Sequence, residues 1–230
     1  MNGSRSPTLQ LRARGPLACF TRPELKVERV SYPVMTPSAA RGLLEAVLWK
    51  PAIAWHIECI HVLKPIRFTA FRRNEVNTKA AAPAAAVVTG GGPAPLYFAD
   101  EDRAQRNTVA VCDVDYIVEA RFTMTDRAGT EDNLPKFVDM FRRRVEKGQH
   151  FHQPYLGCRE FAADVLPVEN GLKAVNDTRD LGLMLWDIDH DAEANTPVFF
   201  HARLERGVLN VPADPRATWA AEGMRKGGAG

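Results

Sequence analysis

An alternation of apolar and polar residues between positions 114 and 124 constrains the fold more than any other feature of the sequence. The segment is V-D-Y-I-V-E-A-R-F-T-M, with a large or small apolar residue at every even position. Successive side chains of a β-strand point to opposite faces, so a period of two indicates a strand. We therefore predict the best-defined strand of the chain here.

A short helix with clear start and stop signals is predicted upstream. Thr36 can accept a backbone N–H as the N-cap, and Pro37 lies at the first helical position, where its missing donor costs nothing. An apolar stripe at helical spacing follows it, made of Leu43, Leu44, Val47 and Leu48. The residue before a proline is disfavoured in helical geometry, so we expect the helix to end near residues 49–50.

A second helix is predicted after the alternating strand. Asn133 can act as its N-cap, and Gly148 can end it after Lys147. Its inward positions at helical spacing are Phe137, Met140, Phe141 and Val145.

The strand predicted after the first helix contains a change of phase. Apolar residues occupy odd positions from 53 to 57 and even positions at 60 and 62. Such a shift predicts a β-bulge near Glu58–Cys59. His56 and His61 lie in this strand, where we expect cross-strand polar contacts; a functional role is the alternative.

The order of predicted elements indicates an α+β protein. An alternating strand at residues 8–13 begins a series of strand, helix, strand, long loop, strand, helix and strand, which fits a ferredoxin-like, RRM-related domain over residues 8–150. The Ala/Pro/Gly-rich residues 80–95 predict a mobile insertion loop. Residues 151–212 predict a small antiparallel β subdomain, and residues 213–230 a disordered tail.

Charge and cysteine usage limit the class of protein. The net charge of +2 is nearly neutral, so a nucleic-acid site has to arise from local clustering of cations. The four cysteines are scattered without a C-x-x-C pair, which is typical of reduced thiols. No apolar run approaches the ~18 residues that span a bilayer, and the first residues lack the apolar segment of a signal peptide. We expect a soluble, cytoplasmic protein that does not enter a membrane.

Cofactor and metal motifs are absent from the sequence. There is no G-x-x-x-x-G-K-[ST], no G-x-G-x-x-G after a strand and no G-x-S-x-G. His150-x-His152 is the one close histidine pair, and residues 187–191 (D-I-D-H-D) form an acidic run, but neither has the further ligands of a known metal motif. We therefore predict no cofactor and no metal site.

Two basic segments are interleaved with aromatic residues. One spans residues 19–32 and includes Phe20 and Tyr32; the other spans residues 64–79 and includes Phe68 and Phe71. A solvated face is the usual meaning of such a run. Cations mixed with aromatic rings also suit phosphate contacts combined with base stacking.

Several ordered blocks carry a resemblance to a known family. They are Thr21–Tyr32 (T-R-P-E-L-K-V-E-R-V-S-Y), Thr36–Ala46 (T-P-S-A-A-R-G-L-L-E-A), Trp49–Pro51 (W-K-P), His61–Phe68, Arg72–Val76, Phe141–Arg144 and Tyr155–Phe161. In these blocks the chain resembles the Cas-five proteins of subtype I-C CRISPR systems (the Dvulg type), members of the RAMP superfamily of RNA-binding proteins.

The resemblance implies an enzyme and a set of partners. We expect an endoribonuclease that cleaves CRISPR repeat RNA (pre-crRNA) beside its hairpin without a metal ion and retains the 5′ handle within the type I-C Cascade complex. Its partners are then the repeat RNA and the other Cascade subunits, and binding of double-stranded DNA is left open. The residues expected to contact the handle are Arg22, Lys26, Arg29, Lys50, Lys64 and Arg67.

The chain departs from the family at the positions that transfer protons. The resemblance implies a Tyr or His just before the W-K-P block and a Lys-His pair at the start of the second helix. This sequence has Leu48 at the first position and Lys136-Phe137 at the second. Lys136 is the predicted catalytic residue, because an ammonium group can stabilise charge developing on phosphorus. The alternative is a non-catalytic RNA-binding scaffold subunit. Candidate replacements for the missing groups are Tyr32, His150, His152 and Tyr155.

Overall fold

One long strand connects most of the sheet. A computed structural model describes residues 5–25, 27–78, 82–90, 98–190 and 195–216. The elements are β1 (Leu9–Ala18), β2 (Arg29–Val30), α1 (Pro37–Val47), β3 (Ile53–Val62), β4 (Phe68–Val76), α2 (Ala85–Gly90), β5 (Arg103–Met124), α3 (Leu134–Glu146), β6 (Asp164–Leu166), β7 (Arg179–Asp189), β8 (Thr196–Glu205) and β9 (Val208–Asn210).

The described strands form one nine-stranded sheet with the path β6-β1-β5-β3-β9-β8-β7. β2 and β4 pair with the first half of β5, over Thr108–Val109 and Arg103–Val111 respectively, whereas β1 and β3 pair with its second half. All pairs are antiparallel except that of β2 with β5. The predicted α+β class is confirmed.

The helix signals in the sequence operate as expected. The Thr36 hydroxyl accepts the backbone N–H of Ala39, and the Asn133 side chain accepts that of Lys136. α1 ends at Val47 with Leu48 as C-cap, two residues earlier than the proline alone predicts. Gly148 follows α3 with a φ of 61°, in the left-handed region that a helix-ending glycine commonly adopts.

The core lies where α1 and α3 cover one face of the sheet. The even-numbered side chains of β5 predicted from the alternation, including Tyr116, Val118 and Phe122, are buried. Trp55 of β3 packs against Phe122 and against Phe141 of α3, with ring centroids 5.2 and 5.1 Å apart. This aromatic contact joins the helix to the two central strands.

The predicted bulge in β3 is confirmed. The register between β3 and β5 shifts between Ile57 and Cys59. Both histidines of the strand make the expected cross-strand contacts: His56 Nε2 lies 2.9 Å from Thr123 Oγ1, and His61 Nε2 lies 3.2 Å from Glu119 Oε1.

Two strands extend beyond what the sequence predicts. β1 continues through Gly15–Pro16, where the sequence predicts a break, and its pairing with β5 runs on to Ala18. β4 occupies a basic segment that we had not identified as a strand. In each case hydrogen bonds to β5 hold a segment whose own residue pattern is weak for a strand.

The remaining segments relate to the sheet as follows. β9 pairs with β3, so the strands after residue 150 continue the same sheet, and the proposed division of the chain near residue 150 stays a prediction. Of the predicted insertion loop, residues 82–90 are described and contain α2, while most of residues 213–230 lie outside the described residues. No helix among the described residues is long and apolar enough to cross a membrane.

A glycine in the Tyr155–Phe161 block provides a test of the packing. Gly157 has a φ of 84°, and a Cβ there would lie 2.1 Å from the carbonyl oxygen of Cys19. We expect Gly157→Ala to lower the free energy of unfolding by about 2 kcal/mol or more, because strain and overlap add. In α1, a Cβ at Gly42 would meet nothing within 4 Å, so Gly42→Ala should raise stability by about 0.5–1 kcal/mol. Urea denaturation measures the free energy of unfolding of both variants. Equal stability of Gly157→Ala and the native chain would contradict this packing.

Candidate nucleic-acid interface and active site

The predicted catalytic lysine lies in the first turn of α3. Lys136 Nζ is 3.0 Å from Asp132 Oδ1, and the side chain is 43% exposed. Its backbone N–H donates a hydrogen bond to the side-chain oxygen of Asn133, the N-cap. Its ammonium group lies 5.7 Å from the centre of the Phe137 ring. The side chain is therefore anchored at the helix N-terminus while its charge remains open to solvent.

A second predicted lysine lies near the same carboxylate. The hydrogen bond from Lys136, the backbone N–H of Gly129 and the nearby charge of Lys50 together lower the pKa of Asp132. Lys50 follows α1 in the turn to β3, and that turn is tied to the loop after β5 because Thr125 Oγ1 donates to the carbonyl of Pro51. We call Lys50 and Lys136 the lysine pair. An ammonium group binds phosphate as a point charge, so the pair suits a phosphate contact.

The other predicted contact residues lie along the first half of β5. Arg22 lies over the Tyr32 ring, 4.7 Å from its centre, and its guanidinium is 3.3 Å from Glu24 Oε1. Arg29 of β2 is 2.9 Å from Glu160 and 3.2 Å from Glu75. Two carboxylates thus already take up part of the hydrogen-bonding capacity of the Arg29 guanidinium.

Lys64 and Arg67 share Asp113, whose φ of 52° lies in the left-handed region. The hydrogen bond from Lys64 is the largest cause that lowers the pKa of Asp113, and the charge of Arg67 adds to it. Arg67 is 61% exposed, so most of its guanidinium faces solvent. Lys26 lies outside the described residues. We call Arg22, Arg29, Lys64 and Arg67 the β2–β4 cations.

The two groups lie at different positions along β5. Arg29 pairs with Thr108, whereas Met124, at the end that leads toward the lysine pair, pairs with Ile53. The intervening residues correspond to roughly 50 Å of extended strand. The cations predicted from the sequence thus form two groups on the surface.

Exposed aromatic rings near the end of α1 were not identified from the sequence as functional. Trp49 is 57% exposed and Phe151 is 79% exposed. The backbone N–H of Phe151 donates to the carbonyl of Ala46 in the last turn of α1. Aromatic rings on a surface beside cations are typical of sites that stack nucleic-acid bases. Their exposure is the signal, and it exists only in the folded chain.

Comparison with known proteins identifies the family. A family model described as CRISPR-associated protein (Cas_Cas5), of the Cas5d type, matches residues 8–212. The chain belongs to the Cas5d family. It is 48% identical over 214 residues to a protein of Mannheimia succiniciproducens, covering 89% of this chain and 94% of that protein. It is 40% identical over 224 residues to one of Thermus thermophilus, covering 90% and 92%. Both relatives are named CRISPR pre-crRNA endoribonuclease Cas5d.

Solved structures share the fold. One, described as a CRISPR-associated protein, has a TM-score of 0.68 at 18% identity and covers 93% of this chain and 95% of its own. Another, the functionally uncharacterized protein SMU1763c from Streptococcus mutans, has a TM-score of 0.64 at 21% identity and covers 92% and 95%. At these identities the likeness concerns the fold alone.

In this Cas5d family member, the two positions where proton-transfer groups were expected belong to the core. Leu48 is fully buried, and its carbonyl accepts the indole N–H of Trp55. Phe137 is 2% exposed, and its ring centroid lies 6.4 Å from that of Phe122. Both side chains pack against the sheet, and neither can exchange a proton.

None of the candidate replacements lies beside Lys136 in the chain's architecture. Tyr32 is buried beneath Arg22, and its pKa is raised by burial. His150 and His152 follow the C-terminal end of α3, about 15 Å along the helix axis from Lys136, and Tyr155 lies next to His152 with centroids 6.5 Å apart. Among the residues predicted from the sequence to act in cleavage or binding, Lys50 and Lys136 are therefore the ones found at this end of α3.

The shared carboxylate makes the lysine pair measurable without RNA. We expect Lys136→Ala to raise the pKa of Asp132, because the hydrogen bond that stabilises its charged form is lost. Lys50→Ala should raise the pKa less, since its contribution is the smaller one. NMR titration of the Asp132 carboxyl carbon checks both, with Lys173→Ala, an exposed lysine elsewhere, as control. An Asp132 pKa that is the same in all variants would show that the lysines do not share this carboxylate.

Proposed function

We propose that the chain is an endoribonuclease that cleaves CRISPR repeat RNA beside its hairpin and keeps the 5′ handle of the product. The observation that carries the proposal is its identity of 48% and 40%, over about nine-tenths of its length, to relatives named as pre-crRNA endoribonucleases. The proposed partners are pre-crRNA and the other subunits of the type I-C Cascade complex. The proposed location is the cytoplasm.

The proposed chemistry uses the RNA's own 2′-hydroxyl as nucleophile. A base removes its proton, the oxygen attacks the adjacent phosphorus, and the bond from phosphorus to the 5′ oxygen breaks as that oxygen takes a proton from water. The products are a 2′,3′-cyclic phosphate and a 5′-hydroxyl. Negative charge builds on the phosphoryl oxygens in the transition state, and a positioned cation stabilises it. No step requires a metal ion.

Lys136 is the residue proposed for that stabilisation. Its ammonium group is held by Asp132 at the N-terminus of α3, with Lys50 nearby. The helix dipole favours a phosphate at such a position. In this proposal Lys50 positions the neighbouring phosphate, and Lys136 faces the one that reacts.

A second candidate function is a non-catalytic RNA-binding subunit of the same complex. The observation that favours it is the burial of Leu48 and Phe137, because apolar core residues stand where the family resemblance implies proton-transfer groups. Binding needs only cations and stacking surfaces, whereas rapid cleavage also needs a proton acceptor. The two functions therefore differ in whether the bound RNA is cut.

We further propose that the first part of the chain is a ferredoxin-like, RRM-related domain. The order β6-β1-β5-β3, with α1 after β1 and α3 after β5, supports it, since that fold places its last strand beside its first. β6, at Asp164–Leu166, lies beyond the predicted boundary near residue 150 and supplies the last strand of this order. The strands β7, β8 and β9 then correspond to the proposed β subdomain.

The test of the reaction is cleavage of the cognate repeat RNA by the full chain in EDTA. We expect cutting beside the hairpin, and no cutting of a substrate with a single 2′-deoxy nucleotide at that position, because the nucleophile is missing. Tight binding of the unmodified RNA without any cut supports the scaffold function instead. Cleavage of the 2′-deoxy substrate would exclude the proposed mechanism.

Lys136→Ala tests the assignment of the cation. We expect the single-turnover cleavage rate to fall by roughly 10²–10³-fold, as when one transition-state hydrogen-bond donor is removed. RNA affinity should change less than about tenfold, since one phosphate contact among several is lost. Lys173→Ala is the matched control. Native cleavage by Lys136→Ala would move the catalytic role to another residue.

Arg67→Ala tests the β2–β4 cations as a phosphate-binding surface. Arg67 is 61% exposed with a single carboxylate partner, so its charge is available. We expect weaker RNA binding and a salt dependence whose slope falls by about one, because one fewer counterion is released. Arg203 of β8, 64% exposed and beside Glu205, gives a control of similar exposure and charge. Equal losses for Arg67→Ala and Arg203→Ala would indicate a general charge effect.

A further inference from the structure

Three side chains with metal-binding atoms meet on the sheet at the bulge of β3. They are Cys59 and His61 of β3 and Glu119 of β5, all half-buried. Cys59 Sγ is 3.4 Å from His61 Nε2 and 3.2 Å from Glu119 Oε2, and His61 Nε2 is 3.2 Å from Glu119 Oε1. Every pair within the group is thus in contact.

The bulge is what places these side chains together. Before it, Ile53 and Trp55 face the core; after it, Ile60 and Val62 do, so Cys59 and His61 both point to the other face. Residues i and i+2 of a strand project in the same direction, and Glu119 pairs directly with Cys59 across the ladder. A strand without the bulge would turn these two residues toward the core.

The spacing matches the edges of a metal-centred tetrahedron. Zinc binds sulfur at about 2.3 Å and nitrogen or oxygen at about 2.0–2.2 Å. With tetrahedral angles those bond lengths separate neighbouring ligand atoms by about 3.3–3.7 Å. One separation, 3.4 Å, lies within that range and the other two, 3.2 Å, lie just below it, so an ion can enter with small side-chain adjustments.

We propose that Cys59, His61 and Glu119 bind one zinc ion, with water as the fourth ligand. Thiolate and imidazole together favour zinc over magnesium or calcium, which prefer sites made of oxygen. On binding, the Cys59 thiol loses its proton to solvent, and its sulfur exchanges the hydrogen bond to Glu119 for a bond to the metal.

Neighbouring residues support the ligands. Gln10 of β1 donates its side-chain amide to Glu119 Oε1 at 2.7 Å, which orients the carboxylate. Glu58, the other residue of the bulge, is held by the Thr8 hydroxyl at 2.9 Å and by Arg121 at 2.7 Å. Its carboxylate is therefore engaged elsewhere, and the ligand set remains one sulfur, one nitrogen and one carboxylate.

The position of the site indicates a structural role for the ion. Cys59 pairs with Glu119 of β5 on one side and with Asn210 of β9 on the other. A metal there ties the irregular part of β3 to β5 at the place where the C-terminal strands join the sheet. It lies away from the lysine pair, so removing the ion with EDTA leaves the proposed cleavage chemistry intact.

The experiment uses the full chain stripped of metal and then titrated with Zn²⁺ against a chromophoric chelator, and separately with Co²⁺. We expect one ion per chain and a sulfur-to-cobalt charge-transfer band in the near ultraviolet. Cys59→Ser should abolish the band, and His61→Gln and Glu119→Gln should each weaken Zn²⁺ binding by more than about tenfold. Cys112→Ser and His201→Gln are matched controls and should bind as the native chain does. A band that persists in Cys59→Ser overturns the proposal.

A measurement on the native chain covers the case in which a variant does not fold. Zn²⁺ should slow alkylation of Cys59 by iodoacetamide by more than about tenfold and leave the rate at Cys112 unchanged, because only a metal-bound sulfur is protected. Peptide mass spectrometry reports the two cysteines separately. Equal rates at Cys59 with and without Zn²⁺ overturn the proposal.

Discussion

Hydrogen bonding to β5 is the constraint on which the rest of the structure depends. β2 and β4 pair with its first half, and β1 and β3 with its second half. The inward side chains of the second half of β5 then form the buried surface against which Trp55 and the helix α3 pack. Because backbone groups buried in a sheet must be paired, each neighbouring strand depends on the position and register of this one.

The functional groups are arranged by their position along that strand. The β2–β4 cations lie beside its first half, the group of Cys59, His61 and Glu119 lies on its second half, and the lysine pair lies beyond its end. A single element thus sets the separation between the surfaces proposed to hold RNA, metal and the reacting phosphate. An extended polymer suits such an arrangement, since it can contact separated cations at once.

Leu48 and Phe137 contribute packing at the two positions where the family resemblance implies proton-transfer groups. Both side chains contribute to the core below α1 and α3, where a Tyr or His would have to find polar partners. The groups proposed to act at this end of α3 are electrostatic, with the lysine pair beside Asp132. Electrostatic stabilisation of the transition state is the larger part of phosphoryl chemistry in many enzymes, which makes the lysine pair the centre of the proposed function.

Local signals in the sequence determined the elements whose causes are themselves local. Thr36, Asn133 and Gly148 mark helix ends because caps involve neighbours within one turn, and the phase change near residue 58 marks the bulge because a strand has a strict period of two. The family resemblance in the sequence also led to the Cas5d family, since it rests on many ordered blocks. Tertiary structure alone decided the pairing of β4, the exposure of Trp49 and the division of the cations into two groups. It also brought Glu119 beside Cys59 and His61, from which it is separated by 60 and 58 positions in the sequence. Such distant contacts follow from strand register and leave no pattern in either segment.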